Sequence, residues 1–123
     1  MAELTAFGKF SLIKRIELGL TMDFVANELG VTKSYLSAIE LGKTNPPWHW
    51  VEVLTNTYKL NAKDVKKLEL SLMQSTYAVR INLLNKTPQA KKLALLLQDR
   101  ISDLTPEQCE QIIRLLERNA TDV

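Results

Sequence analysis

Apolar residues recur at helical spacing through the first sixty positions, and sharp corners interrupt the pattern. Gly19 and Gly30 supply helix stops, while Thr21 and Thr32 supply N-caps. The apolar positions of the four short segments are Phe7, Phe10, Ile13 (or Leu12), Ile16 and Leu20; Phe24, Val25 and Leu29; Leu36 and Ile39; and Trp48, Val51, Leu54 and Tyr58. The pattern predicts an all-helical domain over residues 1–60, with Trp48 in its core. Trp50 falls on another face, where it would pack on the second half of the chain or on a second subunit.

The pattern changes after residue 61. A further helix carries Val65, Leu68 and Leu72, and the stretch "STYAVRINLLN" then alternates apolar and polar residues. A period of two is typical of a strand, so a short β-strand is expected over residues 76–84. Its unpaired edge would be satisfied by the same strand of a second copy. The alternative is that this stretch continues the preceding helix.

Two more helices begin with the dipeptide Thr-Pro, an N-cap followed by the residue best suited to the first helical position. The apolar residues of the first of them span an arc too wide for a two-helix hairpin to cover. Residues 61–123 are therefore expected to form a C-terminal helical dimerisation region. Its expected contact residues are Tyr77, Val79, Ile81, Leu83, Leu93, Leu96 and Leu97.

Composition excludes several classes of function. The chain has 123 residues, 46% of them apolar, and its longest apolar run, "LALLL", is far too short to span a bilayer. The start lacks the layout of a signal peptide, so a cytoplasmic protein without membrane contact is expected. Cys109 is the single cysteine and His49 the single histidine, so neither a metal site nor a cofactor is expected. No nucleophile-base motif occurs, which argues against an enzyme.

Charge gives no general affinity for polyanions. The net charge is +2, and residues 1–60 hold six Lys and Arg against six Asp and Glu. Any binding to nucleic acid by this half must therefore depend on the placement of a few cations and backbone amides.

The helix after Thr32 has an unusual outer face. Leu36 and Ile39 point one way, whereas Ser34, Ser37 and Ala38 point the other way. Short side chains let a helix lie close against another surface, as a helix in the major groove must. An exposed polar helix that happens to be short fits the periodicity equally well.

From Lys14 to Pro46 the sequence "KRIELGLTMDFVANELGVTKSYLSAIELGKTNP" resembles the lambda-repressor-like helix-turn-helix family, also called the Cro or Xre type. The matching features, in order and without gaps, are "ELGLT", Ala26, "LGV" at the turn, Ser37, "IE" at residues 39 and 40, and "GK..NP". The resemblance implies a five-helix DNA-binding domain over residues 5–60, with its motif at 21–40. The third helix would read the major groove.

The resemblance also implies roles for individual residues. The family's base-reading positions fall on Lys33, Ser34, Tyr35, Ser37 and Ala38. Its phosphate contacts fall on Thr21, Thr32, Lys43, Thr44 and Asn45. Arg15 and Glu40 stand where the family has an internal ion pair. Met22 stands where the family usually has a glutamine, so the usual anchoring bond to a phosphate is missing there.

These expectations combine into a sequence-specific regulator of transcription that binds an operator in double-stranded DNA, as a homodimeric repressor. One alternative is an antitoxin that represses its own operon and holds a toxin through its C-terminal helices. A second alternative, from a different class, is a protein-interaction module that has lost DNA binding; Met22 and the neutral first half are its only support.

Overall fold

Threonine and asparagine side chains begin most of the helices. In the computed structural model, which describes residues 3–121, the Thr21 hydroxyl accepts a hydrogen bond from the backbone N–H of Phe24 at 3.1 Å. The Thr32 hydroxyl accepts one from Tyr35 at 3.0 Å. The helices are α1 (Ala6–Leu18), α2 (Met22–Glu28), α3 (Lys33–Glu40), α4 (Trp50–Thr57), α5 (Ala62–Ser75), α6 (Pro88–Arg100) and α7 (Pro106–Thr121), with a 3-10 turn at Ile101–Asp103.

The chain divides into two compact units, Met1–Val79 and Arg80–Val123. The first unit holds five helices, as the resemblance implies, but the fifth of them lies beyond residue 60. Helix α5 packs on α1, and its Leu68 and Leu72 are buried in the core of the first unit. The expected boundary at residue 60 therefore falls inside this unit.

The core of the first unit draws on all five helices or their ends. Its buried apolar residues are Phe7, Val25, Ala26, Leu29, Leu36, Ile39, Trp50, Leu54, Tyr58, Leu68 and Leu72. Several expected core residues are instead exposed, namely Ile13, Ile16 and Phe24. Helical spacing does not reveal which flank of a short helix its neighbours cover, so α1 presents part of its apolar surface to solvent.

The two tryptophans have exchanged their expected places. Trp50 is 1% exposed, and its ring centroid lies 5.9 Å from that of Phe7, whereas Trp48 is 55% exposed. The prediction was wrong because α4 begins at Trp50, after a turn in which the Trp50 N–H donates to the Pro47 carbonyl. Helical periodicity does not extend to Trp48, which lies before the helix.

Two polar contacts fix α5 against α1. The Lys14 ammonium lies 3.1 Å from a carboxylate oxygen of Asp64, and the Phe7 N–H donates to the Ser75 hydroxyl at 3.0 Å. The hydrogen bond that the Lys14 ammonium donates to Asp64 raises the pKa of Lys14, against the opposing effect of burial. The two contacts hold both ends of α5, so this helix is a fixed part of the first unit.

The expected β-strand at residues 76–84 is absent, and no strand occurs anywhere in residues 3–121. The Asn45 side chain instead bonds the backbone of this segment. Its Oδ1 accepts from the Tyr77 N–H at 3.1 Å, and its Nδ2 donates to the Ala78 carbonyl at 2.6 Å. The strand prediction was wrong because an alternating pattern also occurs in a segment without ladder partners, here one with two backbone groups bonded to Asn45.

The second unit has no buried core among the residues whose side chains are described. From residue 80 to residue 118 every residue is exposed or half-buried, Cys109 being half-buried. Helices α6 and α7 follow each other through the 3-10 turn at Ile101–Asp103. The two helices of the expected hairpin are thus present, without a buried residue from position 80 to position 118.

The residues expected to form the dimer contact are accessible. Tyr77, Val79, Ile81, Leu93 and Leu96 are exposed, whereas Leu83 and Leu97 are half-buried. Within the described part of the chain, no helix combines the length and the apolar character needed to cross a membrane.

Candidate nucleic-acid interface

Helix α3 buries one face and presents short side chains on the other, as the periodicity predicts. Leu36 and Ile39 are fully buried. Ser34 is exposed, and Ser37 and Ala38 are half-buried. A shallow groove, here named the reading groove, runs along this second face; its lining residues are Met22, Lys33, Ser34, Ser37, Ala38, Leu41 and Lys43.

The reading groove brings together four of the five expected base-reading residues and one expected phosphate contact. Lys33, Ser34 and Ser37 supply hydrogen-bond donors, and Ala38 supplies a methyl group. Lys43 follows α3 and lines the same groove, so its ammonium can meet an anion beside the groove. The arrangement suits a surface that meets base edges along its length and a backbone phosphate at its end.

Tyr35 lies apart from this group. Its ring meets the buried Trp50 edge-on, with ring centroids 6.4 Å apart, and it lines a second depression with Thr32, Pro47 and His49. The structure therefore separates Tyr35 from the other expected base readers. Its contact with Trp50 supports the start of α3 against α4.

The expected phosphate contacts differ in how their side chains are used. The hydroxyl oxygens of Thr21 and Thr32 accept the capping bonds of α2 and α3, which leaves each hydroxyl hydrogen able to donate. Lys43 is exposed and Thr44 is half-buried. The Asn45 carboxamide already bonds the backbone of residues 77 and 78 through Oδ1 and one hydrogen of Nδ2, which leaves its second amide hydrogen able to donate.

The expected ion pair between Arg15 and Glu40 is present and buried. The guanidinium meets the carboxylate through both of its terminal nitrogens, with Nη2 2.9 Å from Oε1. The two side chains are 6% and 2% exposed. Burial lowers the pKa of Arg15, but the hydrogen bonds and the negative charge of Glu40 outweigh this effect and raise it. The guanidinium therefore stays charged, and the pair joins α1 to α3.

The ion pair extends into a short polar network. Arg15 Nη1 donates to the Ser11 hydroxyl at 3.0 Å, and Ser11 shares a hydrogen bond with the Tyr58 hydroxyl at the end of α4. Burial raises the pKa of Tyr58, although its bond to Ser11 and the charge of Arg15 act in the opposite direction. The network connects the supporting helices α1 and α4 to the helix that lines the reading groove.

Gly8 and Thr5 hold the end of α3, and the sequence analysis missed both. The Glu40 carbonyl accepts from the Thr5 N–H at 2.9 Å and from the Thr5 hydroxyl at 3.1 Å. A Cβ at position 8 would collide with that same carbonyl oxygen. The signal that was available is a glycine inside a strongly helical pattern, which marks a close approach of two backbones.

No group of three or more His, Cys, Asp and Glu side chains within residues 3–121 could hold a metal ion. His49 is exposed beside the start of α4.

A family model described as a helix-turn-helix domain matches residues 14–71. No curated protein and no solved structure matches the chain. The family expected from the sequence is thereby confirmed for this part of the chain: residues 14–71 form a helix-turn-helix DNA-binding domain of the Xre/Cro-like kind. The matched range ends within α5, in agreement with the place of that helix in the first unit.

Proposed function

We propose that the protein is a sequence-specific regulator of transcription that represses by occupying an operator in double-stranded DNA. The observation that carries the proposal is the reading groove, which puts the donors of Lys33, Ser34 and Ser37 beside the methyl group of Ala38. Lysine recognises guanine O6 and N7, serine bonds several base edges, and a methyl group packs on thymine. The groove thus offers several different contacts to base edges.

The contacts that hold α3 in place support sequence-specific DNA binding over non-specific electrostatic binding. Helix α3 is held by the buried pair Arg15–Glu40, by the bonds of Thr5 to the Glu40 carbonyl, and by the ring contact of Tyr35. Positioned side chains discriminate between bases because a misplaced donor leaves a polar group unpaired. A neutral first half also gives little affinity for DNA of arbitrary sequence.

We propose further that the repressor acts as a homodimer formed through the second unit. The support is the lack of any buried residue from position 80 to position 118, despite exposed leucines and isoleucines on α6 and α7. A segment of this size without a core needs another surface to cover its apolar side chains. A two-fold dimer would bring two reading grooves to successive half-sites about 34 Å apart.

Binding of the full-length protein to a random pool of 30-base-pair duplexes tests the proposal. Repeated selection should enrich one sequence with two related halves. Lys33→Ala should relax the preference at one base pair of each half, at a cost of about 1–3 kcal/mol, whereas Lys43→Ala should weaken all duplexes alike and reduce the salt dependence of binding. Lys9→Ala, which changes an exposed lysine of α1 outside the groove, serves as the control and should change neither property.

Two results would contradict the proposal. Equal losses on selected and random duplexes for Lys33→Ala and Lys43→Ala would remove the distinction between base and phosphate contacts. A monomer in sedimentation equilibrium at micromolar concentration, with one half-site selected in place of two, would remove the dimer.

A further inference from the structure

Met22 is the one residue of the reading groove that comes from α2. It is the first residue of that helix and is half-buried, since part of it packs against the core of the first unit. It also lines the groove that holds Lys33, Ser34 and Ser37. Its position is therefore anchored at one end, and its side chain forms part of the wall that meets a ligand of the groove.

The chemistry of methionine limits what that wall can recognise. A thioether has no hydrogen-bond donor, so the Met22 side chain cannot bond a phosphate oxygen, and it is only a weak acceptor for the amino group of a base. In the major groove the one apolar feature of a base edge is the 5-methyl group of thymine. Methionine is unbranched and polarisable, which lets it adapt its contact to such a group.

We propose that Met22 is a specificity-determining residue that reads the 5-methyl group of one thymine in the operator. The inference rests on the proposed function, because it assigns a base to a wall of the same groove. Ala38 and Leu41 are the other apolar lining residues. They come from α3 and its C-terminal end, whereas Met22 comes from the start of α2, so Met22 contacts a different base pair.

Replacement of thymine by deoxyuridine tests the assignment, because it removes the methyl group and leaves every hydrogen-bonding group in place. The probe is the full-length protein with the duplex that it selects from the random pool, with each thymine replaced in turn. Wild-type protein should bind about fourfold more weakly when the thymine at Met22 is replaced, as expected for one buried methyl group. Met22→Leu, which keeps an apolar side chain of similar volume, should keep this penalty.

Met22→Gln and Met22→Ala should lose the penalty at that one position and keep any penalty at other thymines, including one that contacts Ala38. A merely structural role predicts a different result: weaker binding to every duplex, a lower melting temperature, and an unchanged deoxyuridine penalty. That result would overturn the inference, as would a selected duplex in which no thymine is sensitive to replacement. Failure of the protein to select any sequence would instead overturn the proposed function itself.

Discussion

Replacement of Glu40 by glutamine should destabilise the first unit by about 3–5 kcal/mol, the usual cost of removing one partner of a buried ion pair. The side chains of Arg15 and Glu40 are 6% and 2% exposed, so water cannot solvate the guanidinium once the carboxylate is lost. Glutamine has the shape of glutamate, so no cavity forms. Its amide N–H₂ would face guanidinium N–H groups, which sets donor against donor. The loss is a large fraction of the roughly 5–15 kcal/mol that stabilises a domain.

Urea unfolding followed by tryptophan fluorescence measures this cost, because Trp50 is buried in the first unit and reports on its core. The matched control is Glu17→Gln, which removes a charge from a pair of the same unit, Lys14–Glu17, in which the Glu17 side chain is 55% exposed. An exposed pair of this kind contributes about 0–1 kcal/mol. The double variant Arg15→Met with Glu40→Leu should recover much of the stability that Glu40→Gln loses, since it leaves no unpaired charge.

A cost below 1 kcal/mol for Glu40→Gln, equal to that of the exposed control, would refute this reasoning. It would mean that the pair is hydrated in solution and does not hold α3. A double variant as unstable as Glu40→Gln would show that shape, and not charge, sets the stability at this site.

Three further predictions concern the support of α3 and the end of the first unit. Gly8→Ala should lower the unfolding free energy by about 1–3 kcal/mol, despite the higher helix propensity of alanine, because its Cβ meets the Glu40 carbonyl; urea unfolding checks this. Burial raises the pKa of Tyr58, so this tyrosine ionises at lower pH in the unfolded chain, at about pH 10, than in the folded one. The unfolding free energy should therefore fall as the pH rises beyond that value, and Tyr58→Phe should flatten the fall between about pH 9 and 11. Asn45→Ala should speed hydrogen exchange of the Tyr77 amide, and an unchanged rate would contradict the bond between them.

Features set by local sequence could be predicted. The caps at Thr21 and Thr32 and the stop at Gly19 depend on residues within one turn, so the helices of the first unit lie close to their expected places. The ion pair between Arg15 and Glu40 lies 25 residues apart in sequence, and periodicity alone would not have found it. It was found through the family resemblance, which carries information about tertiary contacts.

Features that depend on neighbouring elements could not be predicted from the pattern. Burial of Trp50 in place of Trp48 follows from the turn before α4, which removes Trp48 from the helix. Tyr35 lies in the first turn of α3, at the edge of the face that holds Ser34 and Ser37, and its ring meets Trp50 at the start of α4. In both cases the helical pattern identified a helix, but the position of the start of α4 determined which aromatic side chain is buried and what it contacts.

Asn45 bears on two of the predictions. An extended segment needs partners for its N–H and C=O groups; the alternating pattern predicted them on a second strand, and the family resemblance implied a phosphate contact for Asn45. The carboxamide of Asn45 has the same donor and acceptor as a peptide group, so it bonds Tyr77 and Ala78 as one residue of a neighbouring strand would. One side chain thus satisfies two backbone groups of this segment and keeps one amide hydrogen for a further partner. The bond also ties the loop after α3, which carries Lys43, to the last residues of the first unit.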